Sequence, residues 1–236
     1  NLKKILNLGN MYVSNFVRKA DRQKGIKAPL ELVLCQNKQC GLLQLKHTAP
    51  QEIMYAHHYW YRSGLNPVII NDLREIAKKA THLVRLKKGD PILDIGANDG
   101  TLLSFIPKKY KRVGCEPADN LQKELKKHAD YVIHDFWNKK DYEKLGLPKA
   151  KIITAIGMFY DMENPNQFIR DAERVMADDG IFISQLMTLK PMIEKNDVGN
   201  LCHEHLEFYS YPSLVYLFEK NGLEIFKVEE NDINGG

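Results

Sequence analysis

The chain has 236 residues, of which 44% are apolar, and its formal net charge is +4. This length suits one large domain or a domain with a smaller appendage, and the apolar content is enough for a real core. Lysines and arginines are dispersed rather than gathered into one stripe, which disfavours a nucleic-acid surface. No apolar run approaches the ~20 residues that a membrane span needs, so we expect neither nucleic acid nor a membrane as partner. Four cysteines and no recognisable signal peptide favour a reducing, cytoplasmic setting.

Residues 1 to about 65 show no sustained helical or strand period, and we expect a small irregular subdomain there. Its chemical feature is the pair Cys35 and Cys40, which has four residues between its members and is followed by Gly41. Such a pair resembles half of a structural zinc site, but a tetrahedral site needs about four ligands and no other cysteine is nearby. Two further ligands then precede Asn1 in a longer protein, or the pair is half of a degraded site, or these are ordinary buried thiols.

A helix is predicted to begin at Asn66 and Pro67, because asparagine is a favoured N-cap and proline suits the first helical position. Beyond it, short apolar runs alternate with helical patterns, which predicts a parallel sheet with helices on both faces over residues 66–236. The predicted strands are 91–95, 111–115, 131–134, 151–157, 181–187 and 223–229. The predicted helices after the first lie near 101–106, 119–128, 139–145, 165–177 and 212–221.

The most informative segment is 91–103, where a short apolar strand runs into a glycine-bracketed turn and a helix. Such a turn exposes backbone N–H groups to a nucleotide ligand. A dinucleotide site has the spacing G-x-G-x-x-G, whereas here Gly96 and Gly100 are separated by three residues, with Asn98 and Asp99 between them and Asp94 before them. Two carboxylates would repel a pyrophosphate and suit a ligand that carries an ammonium group and hydroxyls.

A further acidic residue narrows the choice of ligand. Glu116 ends the next predicted strand, 22 positions after Asp94, where a ribose-binding carboxylate belongs in such sheets. S-adenosylmethionine has a sulfonium, an amino-acid end and a ribose diol, so the pattern predicts a methyltransferase. Asp135 and Phe136 follow the third strand of the sheet and suit the adenine amino group and ring face, although Phe136 is equally compatible with the core.

The candidate catalytic segment is His203-Glu204-His205, in the connection after the fifth predicted strand of the sheet. Imidazoles titrate near neutral pH, so this triplet suggests acid–base chemistry. A solvated loop, or a metal site that uses both histidines and Cys202, are the alternatives. The loop after the fourth strand lacks the Asn/Asp-Pro-Pro-aromatic pattern, which disfavours methylation of nucleobase amino groups.

These motifs together resemble the S-adenosylmethionine-dependent C-methyltransferases that act on nucleotide-linked keto-deoxysugars, a family with an N-terminal zinc module. The matching segments are 6–9, 32–35, 42–45, Y-W-Y-R-S-G over 59–64, D-I-G-A-N-D-G-T-L-L over 94–103, 116–118, H-E-H-L over 203–206 with Tyr209 and Ser210, and 231–236. The chain departs from the family in having only the second cysteine pair and Cys202 in place of a tyrosine. Family members are longer, with a last strand and a second Rossmann-like domain, so we expect this chain to be a fragment.

The resemblance implies a class I methyltransferase fold, S-adenosylmethionine as cofactor, a structural zinc and a nucleotide-linked sugar substrate. It further implies that His205 removes the C3 proton of a 4-keto sugar, that Glu204 orients His205 or binds the sugar, and that Tyr61 and His203 contact the sugar or stabilise the enolate oxygen. Two alternatives remain open. One is a nicotinamide-dependent oxidoreductase or epimerase, because Glu116 could also bind an NAD ribose. The other is a non-catalytic module that binds a nucleotide sugar.

Overall fold

The computed structural model describes residues 1–13, 25–56, 59–231 and 233. Contacts divide it into two compact units, each built from several segments of the chain. The first unit consists of Asn1–Met54, Phe159–Asn166 and Leu186–Gly236, and the second of Tyr55–Met158 and Gln167–Gln185. The contiguous division at residue 65 stays a prediction.

The second unit contains the predicted parallel sheet. Its strands are β4 (Pro91–Ile95), β5 (Lys111–Cys115), β6 (Tyr131–Ile133), β7 (Ala150–Ile156) and β8 (Met176–Gln185). They lie in the order β6-β5-β4-β7-β8, and every neighbouring pair is parallel. The helices are α1 (Pro67–Leu83), α2 (Thr101–Ser104), α3 (Gln122–His128), α4 (Lys139–Lys144) and α5 (Pro165–Val175). The α/β alternation predicted from the sequence is confirmed.

Burial explains why these segments form this sheet. All five residues of the central strand β4 are buried, as expected for a strand covered on both faces. The helix α1 begins where the sequence predicts, because the Asn66 side chain accepts a hydrogen bond from the Val68 N–H at 3.0 Å. One face of α1, with Leu73 and Ala77, packs into the core beside Leu103 of α2.

The first unit contains an antiparallel sheet, so the expectation of an irregular N-terminal subdomain is wrong. Its strands are β1 (Leu2–Tyr12), β2 (Lys27–Cys35), β3 (Leu43–Leu45) and β9 (Glu207–Phe208), in that order. All described residues of β1 are exposed and its register with β2 shifts twice. Because β1 has no buried face, it lacks the alternation of apolar and polar residues by which a strand is recognised.

The remaining helices of the first unit are α6 (Leu189–Glu194) and α7 (Tyr211–Lys220). Ser210 and Ser213 form a capping box at the start of α7, where the sequence predicts a helix. The strand predicted at 223–229 does not form. Its alternating pattern is present, but Phe226 and Val228 are exposed, and an extended segment becomes a strand only when a neighbour accepts its hydrogen bonds. Residues 232 and 234–236 of the predicted turn after it lie outside the described residues.

In the part of the chain that the structure describes, no helix combines the length and apolarity needed to cross a bilayer.

Candidate cofactor and catalytic sites

The glycine turn lies at the carboxyl end of β4. Gly96 and Gly100 have φ angles of 72° and 82°, and Asn98 also has a positive φ of 52°. A Cβ on Gly96 would lie 2.7 Å from the Cγ of Met158, so glycine is required there by both conformation and space. The N–H groups of Gly96 and Ala97 donate to the Cys115 carbonyl and that of Gly100 donates to the Ala97 carbonyl, so these groups of the turn are bonded within the protein rather than exposed to a ligand as the sequence predicts.

Asp94 is the penultimate residue of β4 and is buried. Its Oδ1 accepts a hydrogen bond from the Thr154 hydroxyl on β7 at 2.6 Å. Burial raises the pKa of Asp94 to about 7, the Thr154 bond lowers it, and the nearby Glu116 carboxylate raises it. A buried carboxylate of this kind is stabilised by a cationic ligand, which suits a sulfonium or ammonium group.

We expect the substitution Asp94→Asn to stabilise the ligand-free protein at pH 8 more than at pH 5. Because the pKa of Asp94 is about 7 in the folded protein against a usual 3.8, the folded state binds a proton that the unfolded state releases. In the wild type, protonated Asp94 therefore makes its full contribution to the free energy of unfolding below about pH 3.8. This contribution is lost as the pH rises through 7. The gain at pH 8 should be on the order of 1–4 kcal/mol, measured by urea denaturation. An equal effect at both pH values would contradict it, and Asp178→Asn, at an exposed carboxylate, is the control.

Glu116 follows β5 and is 5% exposed. Its Oε2 accepts from the Asn98 N–H at 2.9 Å and its Oε1 from the Ala118 N–H at 3.0 Å. Burial raises the pKa of Glu116, and these two backbone bonds lower it. Each carboxylate oxygen keeps a further lone pair, so Glu116 is held rigidly and can still accept from a ribose diol.

The segment 59–64 is fixed to the turns that follow β4 and β5. The Asn98 side chain accepts from the Ser63 N–H at 3.0 Å and donates to the Tyr61 carbonyl at 3.1 Å. The amide of Asn98, predicted to bind the cofactor, therefore bonds this segment, while its backbone N–H bonds Glu116. Burial raises the pKa of the Tyr61 phenol, and the carboxylates of Asp99 and Asp72 raise it further.

Asp135 and Phe136 follow β6. Asp135 is exposed and borders a polar cavity of about 470 Å³. Its Oδ1 accepts from the Phe136 N–H at 2.7 Å, and the Phe136 side chain is half-buried. Both residues thus stand at the carboxyl edge of the sheet, where the sequence predicts adenine to bind.

The histidine segment belongs to the first unit, because Glu207 and Phe208 form β9 beside β3. His203 is 2% exposed, and its Nε2 lies 3.0 Å from the Ala28 carbonyl of β2. A carbonyl oxygen only accepts, so this nitrogen donates its proton. His203 therefore anchors the segment to the N-terminal sheet.

His205 is held by a hydrogen bond to one ring nitrogen and by a ring contact. Its Nδ1 lies 2.9 Å from the Asn200 carbonyl, and its ring packs edge-on against Tyr160 at a centroid distance of 4.7 Å. Because the carbonyl can only accept, Nδ1 carries the proton and Nε2 keeps a free lone pair. Burial lowers the pKa of His205, whereas the Asn200 bond and the Glu204 carboxylate raise it. The ring is therefore held neutral and ready to accept a proton.

The two predicted metal ligands lie together in the first unit. Cys35 and Cys40 are hydrogen-bonding neighbours across a tight turn, in which the Cys40 and Gly41 N–H groups donate to the Asn37 carbonyl. Burial raises the pKa of the Cys40 thiol, and the Leu42 N–H lowers it. An N–H aimed at sulfur would favour a metal-bound thiolate, so the pair fits half of a tetrahedral thiolate site. Among the described residues, no group of three or more His, Cys, Asp or Glu could hold a metal ion.

Sequence reasoning missed several of these contacts. Thr154 left a signal, because it is a polar residue within the run of apolar residues that follows Lys151 in β7. Tyr160 and the Asn200 carbonyl, which hold His205, left none, since a ring contact and a backbone acceptor are created only by folding.

Comparison with known proteins gives the family. Residues 68–228 match the family described as "Methyltransferase domain", and residues 1–55 match the one described as "Putative zinc binding domain". The C-methyltransferase NovU of Streptomyces niveus is 25% identical over 211 residues, which are 88% of this chain and 50% of NovU. "Probable (S)-tetrahydroprotoberberine N-methyltransferase 2" of Papaver bracteatum is 27% identical over 126 residues, which are 44% of this chain and 32% of that protein. The chain thus spans half the length or less of these two relatives.

A solved structure shows the fold. Mycolic acid cyclopropane synthase CmaA1, complexed with SAH and CTAB, superposes with a TM-score of 0.53 at 17% identity, over 75% of this chain and 68% of that chain. The parallel sheet order and the flanking helices agree with this likeness. Since the methyltransferase family also matches more than half of the chain, this chain belongs to the methyltransferase-domain family and has the class I S-adenosylmethionine-dependent fold.

Proposed function

We propose that this chain transfers a methyl group from S-adenosylmethionine to a carbon atom of a nucleotide-linked 4-keto-deoxysugar. The observation that carries the proposal is the state of His205, whose protonated Nδ1 bonds a carbonyl and leaves Nε2 as a base. Methylation of carbon needs such a base, because a C–H group must first lose its proton. The relative NovU, named a C-methyltransferase, supports the same class of acceptor.

The cofactor would be held by the second unit. Asp94 and Glu116 place two carboxyl groups at the carboxyl end of the sheet, where a cationic ligand would favour their ionised forms, and Gly96 presents backbone without a side chain. When bound, S-adenosylmethionine supplies an electrophilic methyl group. The role of these residues is to orient it through the ribose and the amino-acid end, and to favour its positive charge over a pyrophosphate.

The acid–base work would belong to His205. Its Nε2 removes the proton from C3, next to the C4 carbonyl of the sugar, and the electron pair moves into the enolate. A lowered pKa keeps the imidazole unprotonated at neutral pH, so that it can accept this proton. Glu204, whose carboxylate raises the pKa of His205, stabilises the imidazolium that results.

Tyr61 would stabilise the enolate oxygen. The raised pKa of its phenol keeps the hydroxyl protonated, and a neutral phenol can donate a hydrogen bond to an oxygen that gains negative charge. His203, buried against β2, holds the position of the histidine segment that carries His205.

The test is a transfer assay with methyl-labelled S-adenosylmethionine and 4-keto-6-deoxysugars linked to dTDP, GDP, CDP or UDP. We expect one of these sugars to gain a single carbon-bound methyl group. The matching 4-hydroxy sugars should gain none, because their C3 hydrogen is not acidic without the adjacent carbonyl. Methyl transfer to oxygen or nitrogen would contradict the proposal.

We further propose that Cys35 and Cys40 hold a structural zinc with two ligands supplied outside this sequence. The full-length protein should then contain about one zinc per chain by elemental analysis, since a structural site has about four ligands. Cys40→Ser should remove most of this zinc, whereas Cys202→Ser, at a half-buried thiol outside the pair, should leave it. A full-length preparation without zinc after mild purification would rule the site out.

A further inference from the structure

We propose that Asn120 is a positioning residue, which fixes the segment 59–64 and thereby Tyr61 at the carboxyl edge of the sheet. We call this segment the strap. The inference rests on the proposed function, since it assigns Asn120 to the use of Tyr61 in catalysis. Neither the motifs nor the spacing of the sequence identify Asn120.

Asn120 holds the first residue of the strap by two hydrogen bonds. Its Oδ1 accepts from the Tyr59 N–H at 2.9 Å, and its Nδ2 donates to the Tyr59 carbonyl at 2.9 Å. A side-chain amide that pairs with both groups of one residue reproduces one rung of a β-ladder. Asn120 itself lies in the short helix Asp119–Leu121 that follows Glu116, so the rung joins the strap to the turn after β5.

The other end of the strap is held by the turn after β4. Asn98 bonds the Tyr61 carbonyl and the Ser63 N–H, and the Asp99 Oδ2 accepts from the Gly64 N–H at 2.8 Å. A Cβ on Gly64 would lie 2.8 Å from that same Asp99 oxygen. The strap therefore approaches this turn as closely as its backbone allows, and it is fixed at both ends.

The strap presents exposed aromatic side chains, of which Trp60 lies between the two attachments while Tyr61 is bonded to Asn98 through its carbonyl. Trp60 and Tyr61 are 54% and 45% exposed, and the Tyr59 and Tyr61 rings are 6.4 Å apart. Tyr61 carries no backbone bond to Asn120, so Asn120 acts on it only by fixing Tyr59. Without that rung the start of the strap would lose two hydrogen bonds, and the position of Tyr61 would depend more on its carbonyl bond to Asn98.

The experiment compares Asn120→Ala with the wild type by hydrogen exchange and by steady-state kinetics, on the full-length protein. We expect the Tyr59 amide to exchange about tenfold faster or more, because it loses its acceptor. The value of kcat should fall about tenfold, while the Kd of S-adenosylhomocysteine changes less than about threefold. Asn71→Ala is the matched control, since the exposed Asn71 side chain bonds Arg74 on the surface of α1.

Asn120→Asp is the second variant, for the case that Asn120→Ala does not fold. It keeps the acceptor for the Tyr59 N–H but faces the Tyr59 carbonyl with another acceptor, so kcat should fall and the global stability should stay near wild type. Wild-type exchange at 59–64 in folded Asn120→Ala would overturn the proposal, as would unchanged kcat and KM in either folded variant. A tenfold loss of S-adenosylhomocysteine affinity would assign Asn120 to cofactor binding instead. Binding by the wild type tests the proposed function separately.

Discussion

Replacement of His205 by alanine is expected to lower turnover by roughly 10² to 10⁴, the usual contribution of a positioned general base. The C3 hydrogen of a keto sugar is weakly acidic. We assign its removal to the lone pair on the Nε2 atom of His205. In the wild type, solvent deuterium should enter C3 even when no methyl group is transferred. This exchange should be absent from the His205→Ala variant. Affinity for S-adenosylmethionine should stay nearly unchanged.

The pH dependence gives the same substitution a second readout. Burial lowers the pKa of His205 from its usual 6.5, so the base form persists below that pH in the folded protein. The acid limb of kcat/KM should therefore have its midpoint below 6.5, and it should be absent from the residual activity of the variant.

The control for His205 is His82→Ala. The His82 Nδ1 also lies near a carbonyl, that of Lys78 at 2.6 Å, but the ring is exposed on α1. This variant should keep wild-type turnover. Near-full activity of His205→Ala would mean that another group is the base, with Tyr61 or His203 as the next candidates.

Replacement of Glu116 by alanine is expected to weaken S-adenosylhomocysteine binding by about 1.5–3 kcal/mol, or roughly ten- to one-hundred-fold. The ribose diol would lose a charged acceptor, and the buried N–H groups of Asn98 and Ala118 would lose theirs. Titration calorimetry at fixed ionic strength measures the effect.

Two further variants separate this loss from general damage. Glu116→Gln removes the charge with little change of shape, so it should also weaken binding while the protein stays folded. Glu124→Ala, at an exposed carboxylate of α3 that pairs with Lys127, should bind as the wild type does. Unchanged affinity in both Glu116 variants would mean that Glu116 does not bind the ribose.

The parallel sheet could be predicted from sequence because its signals are local. The apolar run of β4, the glycines at 96 and 100 and the N-cap at Asn66 each act within a few residues. The ribose-binding role of Glu116 could be proposed in the same way, because units of strand, turn and helix recur at a regular length along the chain. In such a fold, position along the chain gives position along the edge of the sheet.

The antiparallel sheet could not be predicted in this way. Its β3 pairs with β9, whose residues follow the histidine segment near the other end of the chain. No local pattern links Leu43 to Phe208, and β1 shows no buried face. Conversely, 223–229 has the right pattern but forms no strand, because hydrogen bonds to a neighbouring strand, rather than alternation, define a strand.

The most direct test of the central claim is titration calorimetry of the protein with S-adenosylhomocysteine and, separately, with NAD. We expect S-adenosylhomocysteine to bind with a stoichiometry near one per chain and NAD to show no saturable binding. The reason is that Asp94 precedes the glycine turn and Asp99 lies within it, where their carboxyl groups would disfavour a pyrophosphate. Saturable binding of NAD, with no binding of S-adenosylhomocysteine, would contradict the assignment of S-adenosylmethionine as the cofactor.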